Sequence, residues 1–160
     1  HSKLSRVYLN NLSPKNPGYT VFETNEIDAN IFTKEKLFAH LVVLLSGRNA
    51  EKLFFNKSVT TGAMKDFEQA YKLAEDMIVK YGMGDYDIYT FISNRSKDII
   101  DKEIFDLLEK ANNRSFEILD KSKDIIDELS DLLIERNKLD RRTIELKIYR
   151  KLPNLLSTLY

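Results

Sequence analysis

Thr60-Thr61-Gly62-Ala63-Met64-Lys65-Asp66-Phe67-Glu68 sets the reading of the whole chain, because it puts one carboxylate on the first turn of a helix. Thr60 or Thr61 supplies an N-cap hydroxyl, Gly62 loosens the entry, and an amphipathic helix is expected from about Met64 to Tyr81. Its apolar stripe reads Phe67, Tyr71, Ala74, Ile78 and Tyr81, at the three-and-four spacing of a core-facing side. Asp66 lies beside that stripe at the positive end of the helix dipole, where an ionised acid is stabilised. On the residues alone, such a carboxylate either caps the helix or binds a metal.

Upstream, Leu4, Arg6, Val7, Tyr8 and Leu9 read as a first strand, and a Pro/Gly turn cluster spans Asn10 to Gly18. Tyr19-Thr20-Val21-Phe22 reads as a second, edge strand. Thr33 caps a helix from Lys34 to about Ser46 with Leu37, Leu41, Leu44 and Leu45 inward; Gly47 is expected to break or bend it before a helical continuation at 50–55. Gly82 follows the Asp66 helix as a C′ glycine.

From about Ser96 long amphipathic helices take over. One spans about Asp98 to Leu119, with Ile100, Ile104, Leu107, Leu108, Ala111 and Leu119 inward. A second spans about Lys123 to Arg136, with Ile126, Leu129, Leu132 and Leu133 inward. Asp140 caps a shorter third, and Pro153 marks its end or a late kink. Ser96-Lys97-Asp98-Ile99-Ile100-Asp101 and Ser122-Lys123-Asp124-Ile125-Ile126-Asp127 repeat one amphipathic pattern, too few copies for a solenoid. The expected fold is mainly α with a small two-stranded β element near the N-terminus. Residues 1–85 are read as one core and 96–160 as a helical subdomain packed on it.

Composition narrows the chemistry. The 160 residues carry 25 basic and 25 acidic side chains, so no global field favours nucleic acid or an anionic membrane. Seventeen aromatics (8 Tyr, 9 Phe) invite a base-stacking platform, but the basic residues alternate with acids and make no positive groove. Without cysteine there is no disulfide, thiolate catalysis or zinc finger. The apolar run Leu41 to Leu45 is far shorter than the roughly 20 residues of a membrane helix. No signal-peptide pattern opens the chain, and strand-like residues begin almost at His1, as in a domain cut from a longer protein.

The stretch around Asp66 resembles the T-T-G-A-x-x-D-[LIF]-E signature in the peptidase domain of the FtsH family of membrane-bound ATP-dependent zinc metalloproteases. Leu37-x-x-x-Leu41-x-x-Leu44-x-Ser46-Gly47-Arg48-x-Ala50-Glu51 resembles that family's L-x-x-x-[IL]-x-x-L-x-G-G-R-x-A-E-E, with Ser46 for a glycine and Lys52 for the second glutamate. Tyr81-Gly82-Met83, Gly18-Tyr19-Thr20, Ile100-Asp101-x-Glu103-Ile104 and Leu132 to Leu139 are similar to further family motifs in the same order. The family's loop after Gly82 is usually longer than the stretch before Ser96, and Gln69 stands where many members carry a basic or different residue.

The resemblance implies that Asp66 is the third zinc ligand, that Glu51 orients a ligating histidine, and that Tyr19, Thr20 and Val21 pair with extended substrate main chain. The family's other two ligands come from an H-E-x-x-H helix, which this chain lacks; His1 and His40 are too far apart to form that pair. Zinc hydrolysis needs three protein ligands and an open position for a water whose pKa falls to about 7. The 160 residues alone are therefore expected to hold no zinc and to be inactive. His40 is expected partly buried and hydrogen-bonded, and Arg48 an ion-pair partner. The resemblance further implies a homo-hexameric parent with ATP and magnesium on a separate domain and unfolded or membrane polypeptides as substrates. Its site would be the bacterial inner membrane, with this domain on the cytoplasmic side and membrane contact only through segments outside the chain. The alternative is a degenerate, non-catalytic FtsH-like domain serving as a structural or interaction subunit.

Overall fold

The computed structural model describes residues 3–9, 18–23, 32–55, 59–86 and 94–151. The turn cluster at 10–17 and Pro153 lie outside them. Two compact units form, one from Ile31–Lys121 and one from His1–Asn30 with Ser122–Tyr160.

The Ile31–Lys121 unit is helical. Helix α1 (Lys34–Phe54) starts at Thr33, whose side-chain oxygen accepts from the Lys36 amide at 3.3 Å. It runs unbroken through Gly47, so of the break or bend expected there the break does not occur. Gly47 is exposed with open space around it, so it costs about 1 kcal/mol of helix propensity, which packing on either side offsets. Leu37, Leu41 and Leu45 are buried, Leu44 is half-buried, and Asn49 takes the next inward position. His40 is exposed rather than partly buried, because Leu37 and Leu41 own the inward side and leave position 40 off it.

A short 3-10 turn (Thr61–Ala63) leads into α2 (Met64–Glu75), and a π-helical segment (Asp76–Lys80) continues it. The Tyr81 amide donates to the Asp76 carbonyl, five residues back, at 3.0 Å. Met83 N–H reaches the Met77 carbonyl at 2.8 Å across Gly82, which sits at φ 60°, so the C′ glycine is where the sequence put it.

The inward side of this helix is not the expected one. Ala74 and Ile78 are buried as expected, but Phe67, Tyr71 and Tyr81 are 49%, 50% and 54% exposed. Ala70, Ala74, Met77 and Ile78 face the core instead. Alanines at 70 and 74 let α2 lie close against α1 and the helix α3 (Asn94–Lys121). The aromatics flank that contact, and Tyr81 is carried outward by the widened π turn.

On α3, Ile100, Ile104, Leu107 and Ala111 complete the core; Ser115 is buried one turn on, and Leu119 is only half-buried. Glu103, also buried, accepts from the Asp85 and Tyr86 amides at 2.6 and 3.1 Å through one oxygen. Its carboxyl lies so close over Gly84 that a Cβ there would come within 2.9 Å of Glu103 Cδ.

The other unit holds an antiparallel sheet of β1 (Lys3–Leu9), β2 (Gly18–Glu23) and β3 (Lys138–Asp140), in the order β2-β1-β3. The two N-terminal strands agree with the sequence reading, and β3 is an addition to it. Helix α4 (Lys123–Arg136) ends at Asn137, whose φ of 60° turns the chain back so that its carbonyl accepts from Leu9 N–H at 2.9 Å. That return sets β3 beside β1, with Val7 opposite Leu139.

Helix α5 (Arg141–Lys151) is capped as expected, with Asp140 Oδ1 accepting from Thr143 N at 2.8 Å. Ile125, Leu139 and Ile144 are buried here, whereas Ile126, Leu129, Leu132 and Leu133 are half-buried. Glu128 pairs with Lys147 and with Lys151, the latter at 2.9 Å, tying α4 to α5.

Candidate metal-binding turn

The turn that carries Asp66 is built from α1 outward. Glu51 sits one turn before the end of α1. Its Oε2 accepts from Thr60 N–H at 2.9 Å, and its Oε1 accepts from the Thr60 hydroxyl at 2.6 Å. The hydroxyl bond, then the amide bond, hold the Glu51 carboxyl below the usual carboxylate range. Thr60 is extended, at φ −106° and ψ 175°, and its Oγ1 accepts from Gly62 N–H at 3.1 Å. Of the two candidate caps, Thr60 is the one used, but it caps the 3-10 turn; α2 itself starts after Ala63 with no side-chain cap.

Gly62 lies against this network. A Cβ there would stand 3.1 Å from Thr60 Oγ1 and 3.7 Å from Glu51 Oε1, so a bare backbone suits the close approach. Buried Ala63 then pins the turn, and Asp66 follows in the first turn of α2. Asp66 is exposed, and its carboxylate pairs with no described residue. Arg48, expected in an ion pair, instead places its guanidinium 5.2 Å from the Phe67 ring centroid, covering the residue beside Asp66.

The donor set is incomplete. Among the described residues no three His, Cys, Asp or Glu side chains gather where a metal ion could sit. Asp66 offers one carboxylate that pairs with no described residue, and a three-ligand zinc site fits here only with two further ligands from outside these residues.

The second candidate feature is β2. Among the described residues it pairs with β1 on one side only and forms an edge of the sheet, with Tyr19, Thr20 and Val21 exposed. Thr20 lies opposite Val7 and Tyr19 opposite Tyr8, whose rings stack at 4.8 Å. Gly18 makes this pairing possible, since a Cβ there would stand 2.9 Å from the Tyr8 carbonyl oxygen. The register slips between Leu4 and Arg6, leaving Ser5 as a bulge. Such an edge can take an added strand through main-chain bonds.

Two features escaped the sequence reading. The Glu51–Thr60 link joins residues nine apart across a loop, where no periodicity reports it. The Glu103 anchor was present only as one letter of the Ile100-Asp101-x-Glu103 motif, and the nearby Gly84 was its single local signal. Lys52, in place of a family glutamate, lines a shallow cleft of about 500 Å³ with Asn49, Asn112, Asn113, Phe116 and Glu117.

Among the described residues no helix is long and apolar enough to cross a membrane. Residues 14–146 match the family model described as Peptidase family M41. The chain is 31% identical over 152 residues to an ATP-dependent zinc metalloprotease FtsH of Clostridium perfringens, covering 85% of this chain and 21% of that protein. A protein of the same name from Pseudothermotoga lettingae is 35% identical over 142 residues, covering 77% and 22%. A chloroplastic ATP-dependent zinc metalloprotease FTSH of Medicago sativa is 29% identical over 150 residues, covering 77% and 20%. The chain thus spans about a fifth of the length of the curated relatives it matches. A match that runs through both the capped Asp66 turn and the Gly18 strand places the chain in peptidase family M41, as an FtsH-type peptidase-domain segment.

Proposed function

We propose that these residues serve an ATP-dependent zinc metalloendopeptidase that degrades unfolded or membrane polypeptides, with Asp66 as one of three zinc ligands. The observation that carries this reading is the Asp66 carboxylate, paired with no described residue, on the first turn of α2 directly after the Thr60-capped 3-10 turn, inside a family match spanning 14–146. The family resemblance supplies the other two ligands from an H-E-x-x-H helix elsewhere in the parent. Zinc, when bound, would polarise the scissile carbonyl and acidify a water.

This chain's own residues do the rest of what is proposed. Asp66 presents a carboxylate that need not leave any described partner to bind a metal. Glu51 also fits the role of orienting a ligating histidine in the parent. Tyr19, Thr20 and Val21 offer an edge whose main-chain groups bind extended polypeptide with little regard to side chains, which suits unfolded substrates. The parent is proposed to be a membrane-anchored homo-hexamer of the bacterial inner membrane, with this domain on the cytoplasmic side and ATP and magnesium on another domain. Alone, the 160 residues are proposed to be inactive.

A second reading, a non-catalytic FtsH-like subunit, is favoured by Ser46 and by Lys52, whose ammonium replaces a family carboxylate. Degradation of an unfolded protein such as casein by the full-length protein, with and without Asp66→Asn, decides between them. Degradation that vanishes in the variant supports the protease. A wild-type protein that degrades nothing under ATP supports the second reading.

A further inference from the structure

Glu51 does not stand idle on α1 in this chain, where no pair of histidines exists for it to orient. Both of its oxygens are engaged by one residue, Thr60, at 2.9 and 2.6 Å, and Thr60 passes the restraint on to Gly62 N–H at 3.1 Å. Only Ala63, Met64 and Lys65 separate Gly62 from Asp66; Ala63 closes the 3-10 turn, and Met64 and Lys65 open α2. A displacement at Thr60 must therefore be carried along a stiff 3-10 and α-helical path to the Asp66 carboxylate.

A Cβ at Gly62 would crowd Thr60 Oγ1 at 3.1 Å, so glycine lets the turn close tightly on the Glu51–Thr60 pair. Helix α1 ends at Phe54, with exposed Phe55 as its C-cap, and Thr60 begins the turn that leads into α2. The bidentate carboxylate is thus the described tether between α1 and the entry of α2 at this point.

We infer that Glu51 is a positioning residue for Asp66, acting through Thr60 and Gly62, so that the metal-ligating turn is registered against α1 before any metal or histidine arrives. The inference rests on Asp66 being a ligand. It differs from a histidine-orienting role because it requires Glu51 to act in the metal-free chain. Both Thr60 groups donate to Glu51, and a carboxylate offers one acceptor oxygen to each.

The test begins with amide hydrogen exchange on the 160-residue chain. Glu51→Ala and Thr60→Val are expected to speed exchange at Gly62 about tenfold, as loss of a charge-assisted or hydroxyl bond predicts. Thr60→Ser keeps the hydroxyl and is expected to exchange as wild type. Amides of the buried Ala70 and Ala74 should be unchanged in all three, which separates local loosening from unfolding.

In the full-length protein, Glu51→Ala is expected to weaken zinc binding about 10- to 100-fold, and Thr60→Val to weaken it in the same direction while Thr60→Ser does not. A Thr60→Val protein with wild-type zinc affinity would overturn the inference, because a histidine-orienting Glu51 has no need of Thr60. Unchanged Gly62 exchange in Glu51→Ala would overturn it equally. Zinc binding that survives Asp66→Asn untouched would instead remove Asp66 from the ligand set, a failure of the proposed function that the exchange data on this chain do not share.

Discussion

Gly84→Ala perturbs a single point where backbone and a buried acid meet. The added Cβ would stand 2.9 Å from Glu103 Cδ and 3.0 Å from its Oε1, closer than real Cβ contacts allow. Glu103 is held on α3, so its carboxyl must swing away and release the Asp85 and Tyr86 amides it accepts at 2.6 and 3.1 Å. Each hydrogen bond to a charged group contributes about 1.5–3 kcal/mol. Two bonds sharing one oxygen place the cost near the lower end, at about 2–3 kcal/mol.

Urea unfolding followed at helical ellipticity should show that loss in the Ile31–Lys121 unit, and a double-mutant cycle isolates its cause. In a Glu103→Ala background the alanine at 84 meets no carboxylate, so its additional cost should fall below about 1 kcal/mol. Equal costs in both backgrounds would refute the reasoning, because the penalty would then come from the backbone at 84 and not from the acid above it.

Leu41 is fully buried among α1, α2 and α3, so Leu41→Ala should cost about 2–5 kcal/mol in the same unfolding assay. Glu128 gives a pH signature. Lys147 first and Lys151 second hold its carboxyl down to about 2 from an ordinary 4.5. Its stabilisation is therefore complete above pH 4.5 and is lost as pH falls toward 2. An acid titration of wild type against Glu128→Gln should show α4–α5 losing structure with a steeper pH dependence in wild type, and parallel curves would contradict the assignment.

Much of the fold was legible because caps and breakers act locally. Thr33, Asp140 and Gly82 do in the structure what their chemistry dictates: one hydroxyl, one carboxylate and one positive φ. The misreadings have a common origin in phase. Phe67 and Tyr71 looked like the inward stripe because large apolar residues dominate a periodicity argument, yet alanines at 70 and 74 allow the closer helix contact. Gly47 looked like a breaker, but its cost of about 1 kcal/mol is small beside the burial of Leu41, Leu45 and Asn49 on the same helix.

Three residues of β3 carry no pattern of their own and exist because Asn137 turns the chain back onto β1. For the site, the position of Asp66 on a first turn was readable from Thr60 and Gly62. What Glu51 touches was not, because a contact across a loop leaves no spacing to read.

Zinc stoichiometry and affinity in the full-length protein, measured by chelator competition for wild type and Asp66→Asn, test the central claim most directly. The account predicts one tightly bound zinc per wild-type chain, a large loss of affinity in the variant, and no tight binding to the 160 residues alone. Wild-type affinity in Asp66→Asn, or tight 1:1 binding by the 160-residue chain, would contradict it.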